Sequence, residues 1–262
     1  MGRFPPADVR RALRAEVGFG CPVPGCGTPF LEWHHFDPPW SEEEHHRPDG
    51  MVALCRLHHI QADNGAFTKE QLKEYKLNGK SNFAKVSAKF NWLRNEILVV
   101  VGGNYYYNSP YVFQVDDNAV IWFNRDTSGN FLLNFSMLSF SGLQRAAMFD
   151  NEMLLTGDEV DVEAPPSAKR IKVSYDNKDS VFLEFEEYKT DVDLIKAYPS
   201  VSPYVSELKF PVTTLELNMN VGGSSFSLSA RKTTLGPFSI EGNFMKEGWL
   251  RIDSPYINCC KK

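Results

Sequence analysis

Four residues at two short spacings carry the first chemistry in this chain. Cys21 and Cys26 enclose Pro22, Pro24 and Gly25, a composition that suits a tight knuckle turning two thiolates toward one point. Cys55 and His58 form a second pair, C-x2-H, whose spacing suits the start of a helix. Together they supply the sulfur and nitrogen ligands of a closed tetrahedral zinc site, which has no room for a substrate and is therefore structural. The plain alternative is a set of buried free thiols beside an unrelated histidine. A second constellation interleaves with the first: Glu32-Trp33-His34-His35-Phe36 lies between the two pairs, and His59 follows His58 directly. Neighbouring side chains on a strand point to opposite faces, so His34 and His35 are expected to do different jobs. All six histidines and three of the five cysteines fall between Cys21 and His59.

These residues resemble the HNH (ββα-metal) endonucleases, in the subgroup whose ββα unit is braced by a zinc knuckle. The resemblance rests on Cys21-x4-Cys26, the stretch Leu31 to Phe36 with its HH pair, Pro38 after it, and the run from Met51 to His59. It covers about residues 15–65, a quarter of the chain. It implies that His35 is the general base that activates water, and that His34 and His59 hold one catalytic divalent cation, Mg2+ or Mn2+. That ion would act as Lewis acid on a DNA phosphodiester, and unperturbed imidazole already has the near-neutral pKa a base needs. The middle letter of the family pattern departs: Gly50, preceded by Asp49, stands where an asparagine usually braces the loop. Asp49, His46 or a backbone carbonyl is left to take over the bracing. A family member that has lost its chemistry survives as a zinc module binding nucleic acid or protein, which is the competing reading.

The elements that must position these residues are legible in pattern. Pro5 and Pro6 open a helix over Ala7 to Val17, with Val9, Ala12, Leu13 and Val17 on one stripe and Arg10, Arg11 and Arg14 on the opposite, solvated face. Gly18 and Gly20 end it. The loop PPWSEEEHHRPDG reads as a polar surface connection with exposed His45 and His46. The helix after His59 continues to Asp63 and stops near Asn64-Gly65. A second begins at Thr68 with a capping box to Gln71 and a staple from Phe67 to Leu72, and ends at Asn78-Gly79.

Residues 80–95 read as a linker in which Lys80, Phe83, Lys85, Lys89, Phe90, Trp92 and Arg94 alternate basic and aromatic side chains. Such a stretch either binds nucleic acid or pins one domain on the next. From Glu96 the period changes to two. Strands are expected at 96–101, 111–115, 119–124 and 131–138, with hairpins around Asp176 to Asp179 and Gly222-Gly223. The aromatics there, Tyr105 to Tyr107, Trp122 and Phe123, read as core, Asp116-Asp117-Asn118 as a turn, and Cys259-Cys260 as an unstructured end.

The expected architecture is therefore α+β: a zinc-braced ββα-metal module over 1–79, a linker over 80–95, and an all-β domain over 96–262, antiparallel and sandwich- or barrel-like. No apolar run approaches bilayer length and the N-terminus lacks a signal-peptide core, so a cytoplasmic protein without a membrane is expected. Cysteines committed to zinc fit a reducing compartment. The net charge of −5 excludes a bulk DNA-coating protein and leaves phosphate contacts to local patches. A nuclease joined to a sensor-like domain looks most like a prokaryotic defence or restriction effector, by analogy alone. The β domain would then serve in targeting, in homo-oligomer or regulatory-partner assembly, or in sensing a small-molecule or phage-derived trigger.

Overall fold

The first helix, α1 (Ala7–Glu16), forms where the proline pair predicts it. Pro6 precedes the first turn, and Leu13 and Val17 face the core. Gly18 and Phe19 both take positive φ, which turns the chain sharply out of the helix. Two strands follow, β1 (Leu31–His35) and β2 (Met51–Cys55), paired antiparallel with His34 opposite Val52 and His35 opposite Met51. All of β2 is buried, as its apolar sequence requires. The helix α2 (Arg56–Asp63) starts directly from Cys55 and ends at Asn64 and Gly65, the latter at φ +76°. The capping box of α3 (Lys69–Asn78) is complete: Thr68 N–H donates to Gln71 Oε1 at 2.8 Å and Gln71 N–H to Thr68 Oγ1 at 3.2 Å.

This computed structural model describes residues 2–81, 86–139, 144–222 and 226–253. Phe83, Lys85, Gly223 and the Cys259-Cys260 pair of the sequence reading lie outside them. The fold is α+β, mostly sheet with few helices. Among the described residues no helix is long and apolar enough to cross a membrane.

The chain divides into two compact units, Met1–Ala88 with Leu155–Val173, and Lys89–Leu154 with Ser174–Lys262. In the first, a segment from the second half of the chain folds with the N-terminal elements. Ala164 bridges to Phe30, and Arg14 forms a two-pronged pair with Asp161, Nε to Oδ1 at 2.8 Å and Nη2 to Oδ2 at 2.7 Å. Arg14 was expected on a solvated face. It is buried instead, because a carboxylate 147 residues away satisfies the guanidinium that burial strips of water. Leu13, Leu31, Met51, Leu54 and Leu72 form the core of this unit, closed by Lys76, which donates to the carbonyls of Pro48 and Met51 and pairs with Glu16 at 3.1 Å.

The second unit contains the expected strands as Leu98–Val101, Tyr111–Val115, Asn118–Arg125 and Phe131–Ser136. The last three run as an antiparallel meander that continues into Ala147–Phe149 and Glu152–Leu154. A second sheet is built on Val212–Val221, antiparallel to Ser180–Tyr188 and Phe226–Leu228 and parallel to Leu98–Val101. Phe113 of one sheet stacks on Phe226 of the other at 6.0 Å. Asp116 turns at φ +52°, and the turn ahead of Ser180 is closed by Tyr175 N–H on Asp179 O. Phe90 and Trp92 pack on Phe185, Trp92 stacked at 5.4 Å; of these aromatics of the expected linker, Phe90 is core of this unit and Trp92 is partly buried. One helix had no counterpart in the sequence reading: Asp191–Ala197, which Thr190 caps by accepting from Asp193 N–H, a Thr-x-x-Asp signal that is visible in the sequence.

Candidate functional site

Cys21 and Cys26 reach the site from the knuckle after α1, Cys55 from the end of β2, and His58 from the first turn of α2. Cys26 N–H donates to Val23 O and Gly27 N–H to Cys21 O, which curls the knuckle, and Gly25 takes φ +81°. The four ligand atoms lie within 4.8 Å of one another. Cys26 Sγ is 3.8 Å from Cys55 Sγ, and His58 Nδ1 is 3.2 Å from both Cys21 Sγ and Cys55 Sγ. Zn–S bonds of about 2.3 Å at a tetrahedral angle set sulfurs about 3.8 Å apart, so the donor set fits zinc. Hydrogen bonds from Cys26 and Cys55, with burial, hold the Cys21 thiol far above its ordinary range, while the thiols of Cys21 and Cys26 pull Cys55 down to about 2. A divalent cation would let all three ionise together.

The second cluster is His34, His59 and Asp63, whose ligand atoms also lie within 4.8 Å of one another. His34 comes from β1, His59 from α2, and Asp63 from one turn further along α2, on the same face as His59. The resemblance pairs His34 with His59 and gives no role to Asp63, although the H-x3-D spacing on a helix points to it. His34 Nδ1 lies 3.2 Å from Asp63 Oδ1, a polar contact that favours the imidazolium. Glu32 takes His59 Nδ1 at 3.1 Å, leaving Nε2 buried and without a partner. A carboxylate that fixes one nitrogen of an imidazole leaves the other to a metal. Burial, and then His59, push His34 down to about 4, so it is neutral and able to ligate at pH 7.

His34 and His35 line one cavity of about 390 Å3 together with Arg3, Trp40, Asp63 and Lys69. Their surroundings differ. The His35 ring meets Trp40 at 4.8 Å, His45 at 5.2 Å and His46 at 5.8 Å, and neither of its nitrogens has a hydrogen-bond partner. Burial, then His45, push His35 down to about 4, below the near-neutral value expected of a free imidazole.

Gly50 lies at the end of the turn Pro48–Gly50, and its carbonyl accepts from Phe36 N–H at 3.0 Å and Asp37 N–H at 3.2 Å. Asp49 is exposed and its Oδ1 accepts only the adjacent Gly50 N–H at 3.1 Å; His46 Nε2 faces Gly2 O at 2.9 Å. His45, read as an exposed loop residue, is buried at 4% exposure because its ring fills the space that Gly50 leaves open. Comparison with protein-family models, curated proteins and solved structures found no match to this chain.

Proposed function

We propose that the first unit is an HNH (ββα-metal) endonuclease module that hydrolyses DNA phosphodiester bonds. The observation that carries this reading is one cavity holding His34 and Asp63, two members of a convergent ligand trio completed by His59, beside a histidine, His35, with both ring nitrogens unpartnered. The β1–β2 ribbon leading straight into α2 supplies the ββα order that such a module requires. Cys21, Cys26, Cys55 and His58 hold a structural zinc. His34, His59 and Asp63 would hold Mg2+ or Mn2+, which supplies Lewis acidity at the phosphate.

His35 takes a proton from a water whose oxygen attacks phosphorus; the P–O3′ bond breaks, leaving a 5′-phosphate, and the departing 3′ oxygen is protonated from solvent. His35 is neutral at pH 7 and so available as acceptor. An anionic phosphodiester drawn into the cavity raises its basicity, because opposite charge favours the imidazolium. Arg3 and Lys69, both at the cavity, supply the local positive charge that a chain of net charge −5 otherwise lacks.

The second unit, with two sheets joined by Phe113 on Phe226, serves in this reading as the sandwich-like sensor or assembly module of a prokaryotic defence or restriction effector. Plasmid nicking in Mg2+ and in Mn2+, wild type against His35→Ala with zinc content equal in both, tests the nuclease. Cleavage by wild type alone is expected; a variant that cuts as fast as wild type removes His35 from the chemistry. Metal-independent DNA binding without cleavage would instead identify a zinc module that has lost its activity.

A further inference from the structure

Neither His35 nitrogen makes an aligned hydrogen bond, although the His45 backbone lies near enough to favour the imidazolium, and three rings pack around it. They are not equivalent. Trp40 is half-buried. His46 is half-buried, with Nδ1 unpartnered. His45 is 4% exposed and has both nitrogens engaged: Arg47 N–H donates to Nδ1 at 3.2 Å, and Nε2 meets Pro38 O at 3.0 Å. Since Nδ1 accepts, the proton sits on Nε2, which donates to Pro38. One imidazole thus ties the segment that leaves β1 to the segment that enters β2. Its edge closes on Gly50, where an added Cβ would come within 2.8 Å of His45 Cε1. On its other side it meets His35 in a T-shaped contact, 5.2 Å between centroids at 82°.

Building on the nuclease reading, we propose that His45 is a positioning residue, which locks the loop between β1 and β2 and holds the His35 ring at the angle from which it receives the water proton. Gly50 is the complement of this arrangement, since a side chain there would occupy the place of the imidazole. His45 touches neither phosphate nor metal in this role; it acts through His35, and a misplacement of the base by about 1 Å costs about a hundredfold in rate.

The test uses the zinc-loaded 262-residue chain with 15N-labelled histidine, in wild-type, His45→Ala and His45→Gln forms. Glutamine keeps a donor for Pro38 O. Side-chain 15N spectra of the wild type are expected to show His45 as a single Nε2–H tautomer and one sharp His35 ring. In His45→Ala the His35 signals should shift and broaden, with kcat for plasmid nicking in Mn2+ down about a hundredfold, KM within about twofold of wild type, and zinc content unchanged. His45→Gln, which keeps the tie to Pro38 O but not the ring, should recover part of the order of His35 and part of kcat. Unaltered His35 spectra in His45→Ala, or a His45 ring averaging between tautomers in the wild type, would overturn the proposal. So would an activity loss that only tracks lost zinc and that glutamine does not repair. If the wild type cuts nothing, the nuclease reading falls, and the His35 spectra still decide whether His45 sets that ring; should His45→Ala lose its zinc, His45→Gln carries the comparison.

Discussion

Replacing Gly50 by alanine adds one carbon at the most crowded backbone position near the site. The added Cβ would fall inside the van der Waals envelope of Asp37 O and 2.8 Å from His45 Cε1. Gly50 is not among the residues at positive φ, so the demand is for space and not for an unusual conformation. The carbonyl cannot simply withdraw, because Phe36 and Asp37 both donate to Gly50 O and hold the two segments together. Overpacking of this kind costs about 1–3 kcal/mol, and weakening two backbone hydrogen bonds adds about 1 kcal/mol each. Gly50→Ala should therefore lose about 3–5 kcal/mol of stability in the first unit, read as the shift of the urea transition followed by Trp33 and Trp40 fluorescence at constant zinc. Gly50→Asn should lose at least as much, although it puts back the residue the family pattern carries. A transition within about 0.5 kcal/mol of wild type for Gly50→Ala would show that the loop yields, and that glycine here is not required by packing.

Cys55→Ala should unfold the first unit, seen as loss of bound zinc and of helical circular dichroism, since a structural zinc contributes about 10 kcal/mol or more to the fold that forms it. Asp161→Asn should cost up to about 3–5 kcal/mol by leaving buried Arg14 only the more distant Glu163, at 3.8 Å, as counter-charge; thermal melts of Arg14→Met/Asp161→Leu should recover most of that loss, and a double variant no better than the single one would refute the pairing. Acid should destabilise the zinc-loaded protein, free of a second cation, through His35: its folded pKa of about 4 lies below the unfolded value near 6.5. The cost is absent above pH 6.5, grows as pH falls from there, and levels off below pH 4 at about 3 kcal/mol. His35→Gln should flatten the urea midpoint between pH 6.5 and 4 relative to wild type. Glu32→Gln should leave zinc in place and weaken Mn2+ binding by about tenfold to a hundredfold in calorimetry, because His59 loses the carboxylate that fixes its ring.

What could be read from the sequence was what depends on neighbours along the chain. The knuckle of Cys21 and Cys26, the C-x2-H pair, the capping box at Thr68 and the period-two strands after residue 96 are each set by a few adjacent residues, so spacing and turn chemistry suffice. The resemblance, resting on short motifs, singled out His34, His35 and His59 from the six clustered histidines. Tertiary structure decided the rest. Arg14 reads as one more arginine on a polar helix face until Asp161 arrives from 147 residues away. His45 sits in a run of proline and acid that reads as surface loop, and is buried because a glycine five residues on leaves room for its ring. Gly50 looks, in sequence, like a missing side chain; in three dimensions the space beside it is already taken by Asp37 O and His45. Local pattern is governed by backbone geometry and polarity over one or two turns, whereas burial and close approach depend on which distant segments the fold brings together.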